Sequence, residues 1–179
     1  GRVVEMGSDK EMGHWSHIRM MGKRGRNIVL VSVYKVCLHH GTKVGDRTAH
    51  AQQLGILRKH ERDCSPRKAF IDDFDTQVEA WIAEGYELII TRDLNETLGA
   101  EQHSFSRISS KHNLTEIIQE AHGVANEPAT YARGSKRLDY IFCTEGVVSS
   151  VNKCGISPYS DVIDSDHRSL YVDFDTAKL

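Results

Sequence analysis

The sequence predicts a mixed α/β domain built in layers, and three observations carry that expectation. Two strand-like apolar runs at 15–21 and 27–36 are followed by helical patterns over 47–84. A further apolar strand at 86–91 comes next, and short strands recur to residue 174. The order β-β-α-α-β-α-β-β-β fits layered sheets and helices rather than an all-helical or all-β chain. At 179 residues the chain suits one domain spanning 1–179, long enough to bury about two-thirds of its unfolded surface.

The runs WSHIRMM and NIVLVSVYKV, joined by Gly22-Lys23-Arg24-Gly25-Arg26, read as a hairpin with a basic turn. In the second strand Ile28, Leu30, Ser32 and Tyr34 share one face and Val29, Val31, Val33 and Lys35 the other. Both faces are largely apolar, as in a central strand covered on both sides. Residues 47–61 follow as a helix. A firmer one starts with Ser65 as N-cap and Pro66 in the first turn, repeats Phe70, Phe74, Val78 and Trp81, and stops at Gly85. Residues 104–122 carry two short helical patterns broken near His112-Asn113. Ala129-Thr130-Tyr131 is a candidate short strand, RLDYIFC at 137–143 a surer one, and Asp166-His167 opens a last strand that runs through Phe174.

Composition is ordinary, with 39% hydrophobic and 27% charged residues, which argues against disorder. No apolar run approaches the ~20 residues that span a bilayer, and no signal-peptide pattern opens the chain. The first residues, Gly1-Arg2-Val3, lack a Met, as in a fragment or trimmed chain. A net charge of −2 does not announce a nucleic-acid binder, so a phosphate partner must be met by local basic patches. Four scattered cysteines without a CxxC pair read as free thiols in a reducing compartment. Cys37, His39, His40 and His50 offer zinc-binding atoms, but CLHH lacks the paired spacing of structural zinc sites.

Three polar clusters sit within or at the ends of apolar strands: Asp93 with Asn95, Asp139 inside KRLDYIF, and Asp166 with His167 in DSDHRSL. Each has a plain reading alone. Asp-X-Asn after a strand is usually a turn that bonds its own backbone, and SDH before a strand is usually surface. Together they point to one shared polar site, because burying several carboxylates without partners is costly. Three carboxylates, an imidazole and an amide supply a hard-cation ligand, a water-activating group and a proton relay, as metal-assisted phosphodiester hydrolysis requires.

These motifs resemble a known family. IITRDLNE, SKRLDYIF and SDHRSLYVDFD are similar, in order, to three motifs of the endonuclease/exonuclease/phosphatase superfamily, and IVLVSVYKV resembles its earlier strand carrying an active-site Tyr. The resemblance covers residues 15 to 176. HWSHIRM, AQQLGIL, SPRKAF and ATYARGSKRLDYIF look most like endonuclease domains of non-LTR-type retroelements. The resemblance implies a DNase-like four-layer α/β sandwich of two packed mixed β-sheets flanked by helices. It implies that Asp93 orients or deprotonates the attacking water and that Asn95 positions the scissile phosphate. Asp139 would fix the tautomer of His167, His167 would stabilise the phosphate oxygen, and Tyr34 would contact the phosphate. Asp166 would ligate Mg²⁺, with Mn²⁺ as the alternative ion. Charge alone offers Arg133, Lys136 and Arg137 as contacts to a nucleic-acid backbone. DNA is the expected partner, with no membrane, and a reverse transcriptase region of the same polyprotein follows from the retroelement resemblance, as does a nuclear location.

Two departures from the family pattern stand out. The family's full domain begins with two further strands that supply an Asn and the main metal-binding Glu, and this chain reads as truncated after them. Glu5 and Glu11 match no motif, so Mg²⁺ affinity is expected to be weak, and an exposed sheet edge or apolar face is expected too. Arg92 stands where the family has Gly before the Asp. Its cation would fill the site, or pair with Asp93 and hold it from water. Three functions stay open: a Mg²⁺-dependent endonuclease of a retroelement, an impaired nucleic-acid-binding remnant, and a phosphatase of the same superfamily.

Overall fold

A strand apolar on both faces needs a partner layer on each side, and the structure, a computed structural model, supplies both around residues 27–34. It describes residues 2–37, 45, 47–99, 104–123 and 127–179. The strands β1 (Arg2–Ser8), β2 (Trp15–Met21) and β3 (Asn27–Tyr34) form an antiparallel meander. Helices α1 (Ala49–Lys59) and α2 (Pro66–Ala83) then cross over to β4 (Tyr86–Asp93), which runs parallel to β3. The chain continues through α3 (Ser106–Lys111), β5 (Thr115–Glu116), α4 (Ile117–His122), β6 (Asp139–Cys143), α5 (Glu145–Val148), β7 (Val151–Ile156) and β8 (Leu170–Phe174). The order β1-β2-β3-β4-β6-β5 makes a mixed six-stranded sheet, and β7-β8 make a second, two-stranded one.

Local chemistry places the helices. Thr48 caps α1 by accepting from the Ala51 N–H, and the Ser65 hydroxyl accepts from Lys68 N with Pro66 as the next residue. Gly85, at φ +82°, turns the chain out of α2 into β4. Period-two alternation then sorts the core. Val29, Val31, Val33, Leu88, Ile90 and Phe142 face α2, where Phe70, Phe74, Val78 and Trp81 are buried. Ile28, Ile89, Ile141 and Cys143 face the other way, toward β7, β8 and α4.

Several expectations change. A strand, β1, precedes the hairpin where the sequence shows no strand pattern, because Val3, Val4 and Met6 are exposed and no buried face announces it. Residues 144–156, to which the sequence assigns no element, hold α5 and β7. The second sheet is a single antiparallel pair rather than a mixed sheet. The segment 129–131 is not a regular strand. Tyr131 instead makes one isolated antiparallel bridge to His167, and regular pairing in the last strand starts at Leu170. All four cysteines are free. No described helix is long and apolar enough to cross a membrane.

Ion pairs tie α2 to α3. Asp75 accepts from Lys111 Nζ at 3.1 Å and lies 2.7 Å from His112 Nε2, while Asp72 accepts from Arg107 at 3.0 Å. Burial pushes the Asp75 carboxyl up, but the bonds from His112 and Lys111 outweigh it and hold the pKa below the ordinary value. This stabilisation is therefore full above the unfolded value of about 3.9 and is lost as pH falls through the lower folded value. Asp75→Asn is expected to lower stability by roughly 1 kcal/mol near pH 7 and by progressively less as pH falls below about 3.9. Urea unfolding near neutral pH and through the acid range checks this, and a penalty undiminished at the acid end contradicts it.

Candidate active site

Three neighbouring strands deliver polar residues to one rim of the large sheet. In register, Tyr34 at the end of β3 lies beside Asp93 at the end of β4, and Asp93 pairs with Asp139 at the start of β6. Alternation turns all three to the face that looks toward the small sheet. His167, arriving just before β8, closes the group, with its Nδ1 2.9 Å from Asp139 Oδ2. Ligand-type atoms of Asp93, Asp139 and His167 lie within 4.8 Å of one another. Tyr34, Asp93, Asp139, Arg168 and Leu170 line a cleft of about 400 Å³ between the sheets.

The backbone around these residues is tied down. The buried Thr130 hydroxyl accepts from Leu138 N at 2.9 Å and Asp139 N at 3.2 Å, fixing the start of β6. Two bonds, Ala132 N to Asp166 O and Arg168 N to Thr130 O, both 2.8 Å, hold 166–168 against 130–132. The Tyr131 ring, 5.0 Å from the His167 ring, packs beside it. Asn95 sits at φ +48°, and its N–H donates to Asp93 Oδ1 at 3.0 Å. Its amide donates to Lys35 O at 2.9 Å and accepts from the Cys37 thiol at 3.2 Å. The side chain expected to hold a phosphate is thus largely spent on shaping the loop behind Asp93.

Burial raises the pKa of Asp93, and the neighbouring Asp139 carboxylate adds to the rise against the Asn95 hydrogen bond. For His167, burial acts against the charged ring, but the bond to Asp139 and the fields of Asp139, Asp93 and Asp166 prevail and raise its pKa. Burial also raises Tyr34, with Cys37 and Asp93 contributing. A carboxylate that holds a proton more tightly than usual is a better base, and a histidine backed by a carboxylate is a better cation.

The reading of Arg92 is corrected. It neither enters the cleft nor pairs with Asp93, because the residue before Asp93 must point to the opposite face. Its guanidinium lies between the rings of Phe105 and Phe142, 3.4 and 3.6 Å from their centroids. None of its nitrogens has a hydrogen-bond partner among the described residues. On the same helix-side face a buried carboxylate, Glu96, pairs with Lys35 and, at 3.3 Å, with Arg67 of α2. Glu96 also accepts from Phe105 N at 2.8 Å and Ser104 Oγ at 3.2 Å.

The other expected residues divide. Arg133 and Lys136 are exposed on the loop before β6. Arg137, expected to meet nucleic acid, is instead buried, bonding Glu116 at 2.6 Å, Glu127 at 2.9 Å and Asp139 O at 3.0 Å. A guanidinium satisfied by two carboxylates is structural. Asp166, expected as the metal ligand, is exposed and outside the group of three. His39 and His40 lie outside the described residues, Cys37 faces Asn95, and His50 lies on α1. Arg168, Glu96 and Thr130 were not singled out, although the SDHR run placed a cation beside His167. Two carboxylates and one imidazole fit one divalent cation with positions left open, and mixed oxygen and nitrogen donors suit several first-row ions as well as Mg²⁺.

No protein-family model matches the sequence, and comparison with curated proteins returns no match. Solved structures do match the fold. The human Nocturnin catalytic domain is 20% identical with a TM-score of 0.60, covering 97% of this chain. The 3′–5′ exonuclease NExo of Neisseria meningitidis is 13% identical at a TM-score of 0.64, covering 97% of this chain and 71% of its own. The endonuclease domain of TRAS1, a telomere-specific non-LTR retrotransposon, is 14% identical at 0.52, covering 95% and 66%. The chain spans 59% of the Nocturnin chain.

Magnitudes decide what the buried charges do. Removing a shared buried carboxylate is expected to cost about 3–5 kcal/mol for Glu96→Ala. Cation–π contacts contribute about 0.5–2 kcal/mol each, against several kcal/mol for desolvating a guanidinium without hydrogen bonds. Arg92→Met is therefore expected to be neutral or stabilising by ~1 kcal/mol or more, and Arg92→Gly to cost about 2–5 kcal/mol by opening a cavity. Denaturant unfolding of the three variants tests this, and a loss above about 2 kcal/mol for Arg92→Met contradicts it.

Proposed function

We propose, from the endonuclease/exonuclease/phosphatase fold that this chain carries and from the group at its sheet rim, that the protein hydrolyses phosphodiesters with a divalent metal. One observation carries the reading: Asp93 and Asp139, from adjacent strands, converge with His167 from a segment 28 residues beyond Asp139. Residues so far apart rarely gather two carboxylates and an imidazole in one cleft for stability alone.

The residues divide the work. Asp93, with its raised pKa, takes a proton from the attacking water. Asp139 accepts from His167 Nδ1–H, which leaves Nε2 to donate toward charge developing on the phosphate. The Tyr34 hydroxyl orients the phosphate from the neighbouring strand end. A divalent ion, Mg²⁺ or Mn²⁺, would be held by the carboxylates of Asp93 and Asp139 and would supply charge neutralisation and a more acidic water, while His167, with both ring nitrogens donating, stays outside its ligands. Asp166, exposed beside His167, contributes through its field.

Nucleic acid, DNA above all, is the proposed substrate. Among the fold neighbours are the Neisseria enzyme NExo, described as a 3′–5′ exonuclease and as a 3′ phosphatase bound to a product DNA hairpin, and a retrotransposon endonuclease domain. The motifs favour the retroelement setting, with 1–179 acting as one domain in the nucleus beside a reverse transcriptase region. The impaired-remnant alternative loses one of its two supports, because Arg92 leaves the cleft clear.

Plasmid nicking with Mg²⁺ or Mn²⁺ tests the reading. The chain is expected to nick supercoiled DNA. Asp93→Ala, Asp139→Ala and His167→Ala are each expected to lower the rate by roughly 100-fold or more, and Asp166→Ala by less. No nicking with either ion, or undiminished nicking by Asp93→Ala, overturns it.

A further inference from the structure

Of the two arginines that line the cleft, only one can meet a ligand there. Arg92 turns its guanidinium between Phe105 and Phe142 on the opposite face. Arg168 makes no ion pair among the described residues. Its Nε is buried without a hydrogen-bond partner, and its guanidinium lies over the Tyr159 ring at 4.5 Å. Both ends of that stack are fixed, since Arg168 N donates to Thr130 O at 2.8 Å and the Tyr159 hydroxyl donates to Ala129 O at 3.2 Å. The cation is held in place by stacking rather than by a counter-charge.

That arrangement has a consequence in a cleft that also holds Asp93 and Asp139. A phosphodiester entering it meets negative charge and needs a cation whose donors are not already taken. Among nearby basic side chains, Arg137 is engaged with Glu116 and Glu127 and Lys35 with Glu96, and Arg133 and Lys136 lie exposed on a loop outside the cleft lining. A guanidinium stacked on one face keeps its edge free, and that edge matches two phosphate oxygens at once.

We propose that Arg168, braced on Tyr159, is the phosphate-binding residue of the cleft, contacting the nucleic-acid backbone beside the group of Asp93, Asp139 and His167. It binds and orients without taking part in proton transfer. This assignment rests on the hydrolase reading above. Lysine cannot replace it fully, because an ammonium neither stacks flat on Tyr159 nor presents a two-pronged edge.

Fluorescence anisotropy with a short labelled DNA duplex, in chelator so that no cleavage intervenes, tests the assignment. Arg168→Ala is expected to weaken binding about tenfold or more and to reduce the salt slope by about one. Arg168→Lys is expected to recover the salt slope but only part of the affinity, and Tyr159→Leu to weaken binding more than Tyr159→Phe, which keeps the ring and loses only the bond to Ala129 O. Thermal unfolding of each variant separates these effects from misfolding, and Arg168→Lys serves if Arg168→Ala does not fold. A folded Arg168→Ala chain with the parent's affinity and salt slope overturns the assignment while nicking by the parent stands. A parent chain that neither binds nor nicks DNA overturns both.

Discussion

The site depends on one buried carboxylate. Glu96 follows Asn95 on the far side of the loop from the cleft, and it draws together Lys35 at the end of β3, Arg67 in α2 and the backbone entering α3. Two of these neighbours, Arg67 and Lys35, touch the rim. Arg67 donates to Val36 O, Lys35 N donates to Asp93 O at 3.0 Å, and Lys35 O receives the Asn95 amide. An ion cluster of this kind adds little net stability over apolar packing, but its geometry is demanding because every lone pair needs a donor. It fixes where β3, β4 and α2 meet, and so where Tyr34 and Asp93 stand.

The same alternation that buries Lys35 and Arg92 on the helix side, where the loop after Asn95 also brings Glu96, sends Tyr34, Asp93 and Asp139 to the other. The Lys35–Glu96–Arg67 cluster and the candidate chemical groups thus lie on opposite faces of one sheet. Burial does most to raise the Asp93 pKa, and the Asp139 carboxylate on the same face adds to it. His167, entering from 166–168 through the bridge to Tyr131, completes the group without any regular strand.

Much of this was legible in the sequence. Hairpin, caps, the long helix, β4 and β6 followed from periodicity, Ser65-Pro66 and Gly85. The polar motifs at strand ends named Asp93, Asp139 and His167, which meet. What was not legible has physical causes. Strand β1 shows no alternation because neither of its faces is well buried, and β7 is split from its partner β8 by a 13-residue connection spanning 157–169. Arg137 looked like surface because nothing in KRLD reveals that Glu116 and Glu127 come to meet it. Arg92 looked like an intruder, although counting from Ile90 already placed it on the helix side, away from Asp93. The correction needed only the period of two, applied one residue further.

The central claim is that Asp139 and His167 act as one unit beside Asp93 in phosphodiester hydrolysis. A double-mutant cycle of Asp139→Asn and His167→Gln, read as the rate of plasmid nicking, tests it most directly. The double variant is expected to be no slower than the slower single variant, because either change breaks the same pair. Independent losses that multiply in the double variant, or single variants that nick at the parent rate, would contradict it.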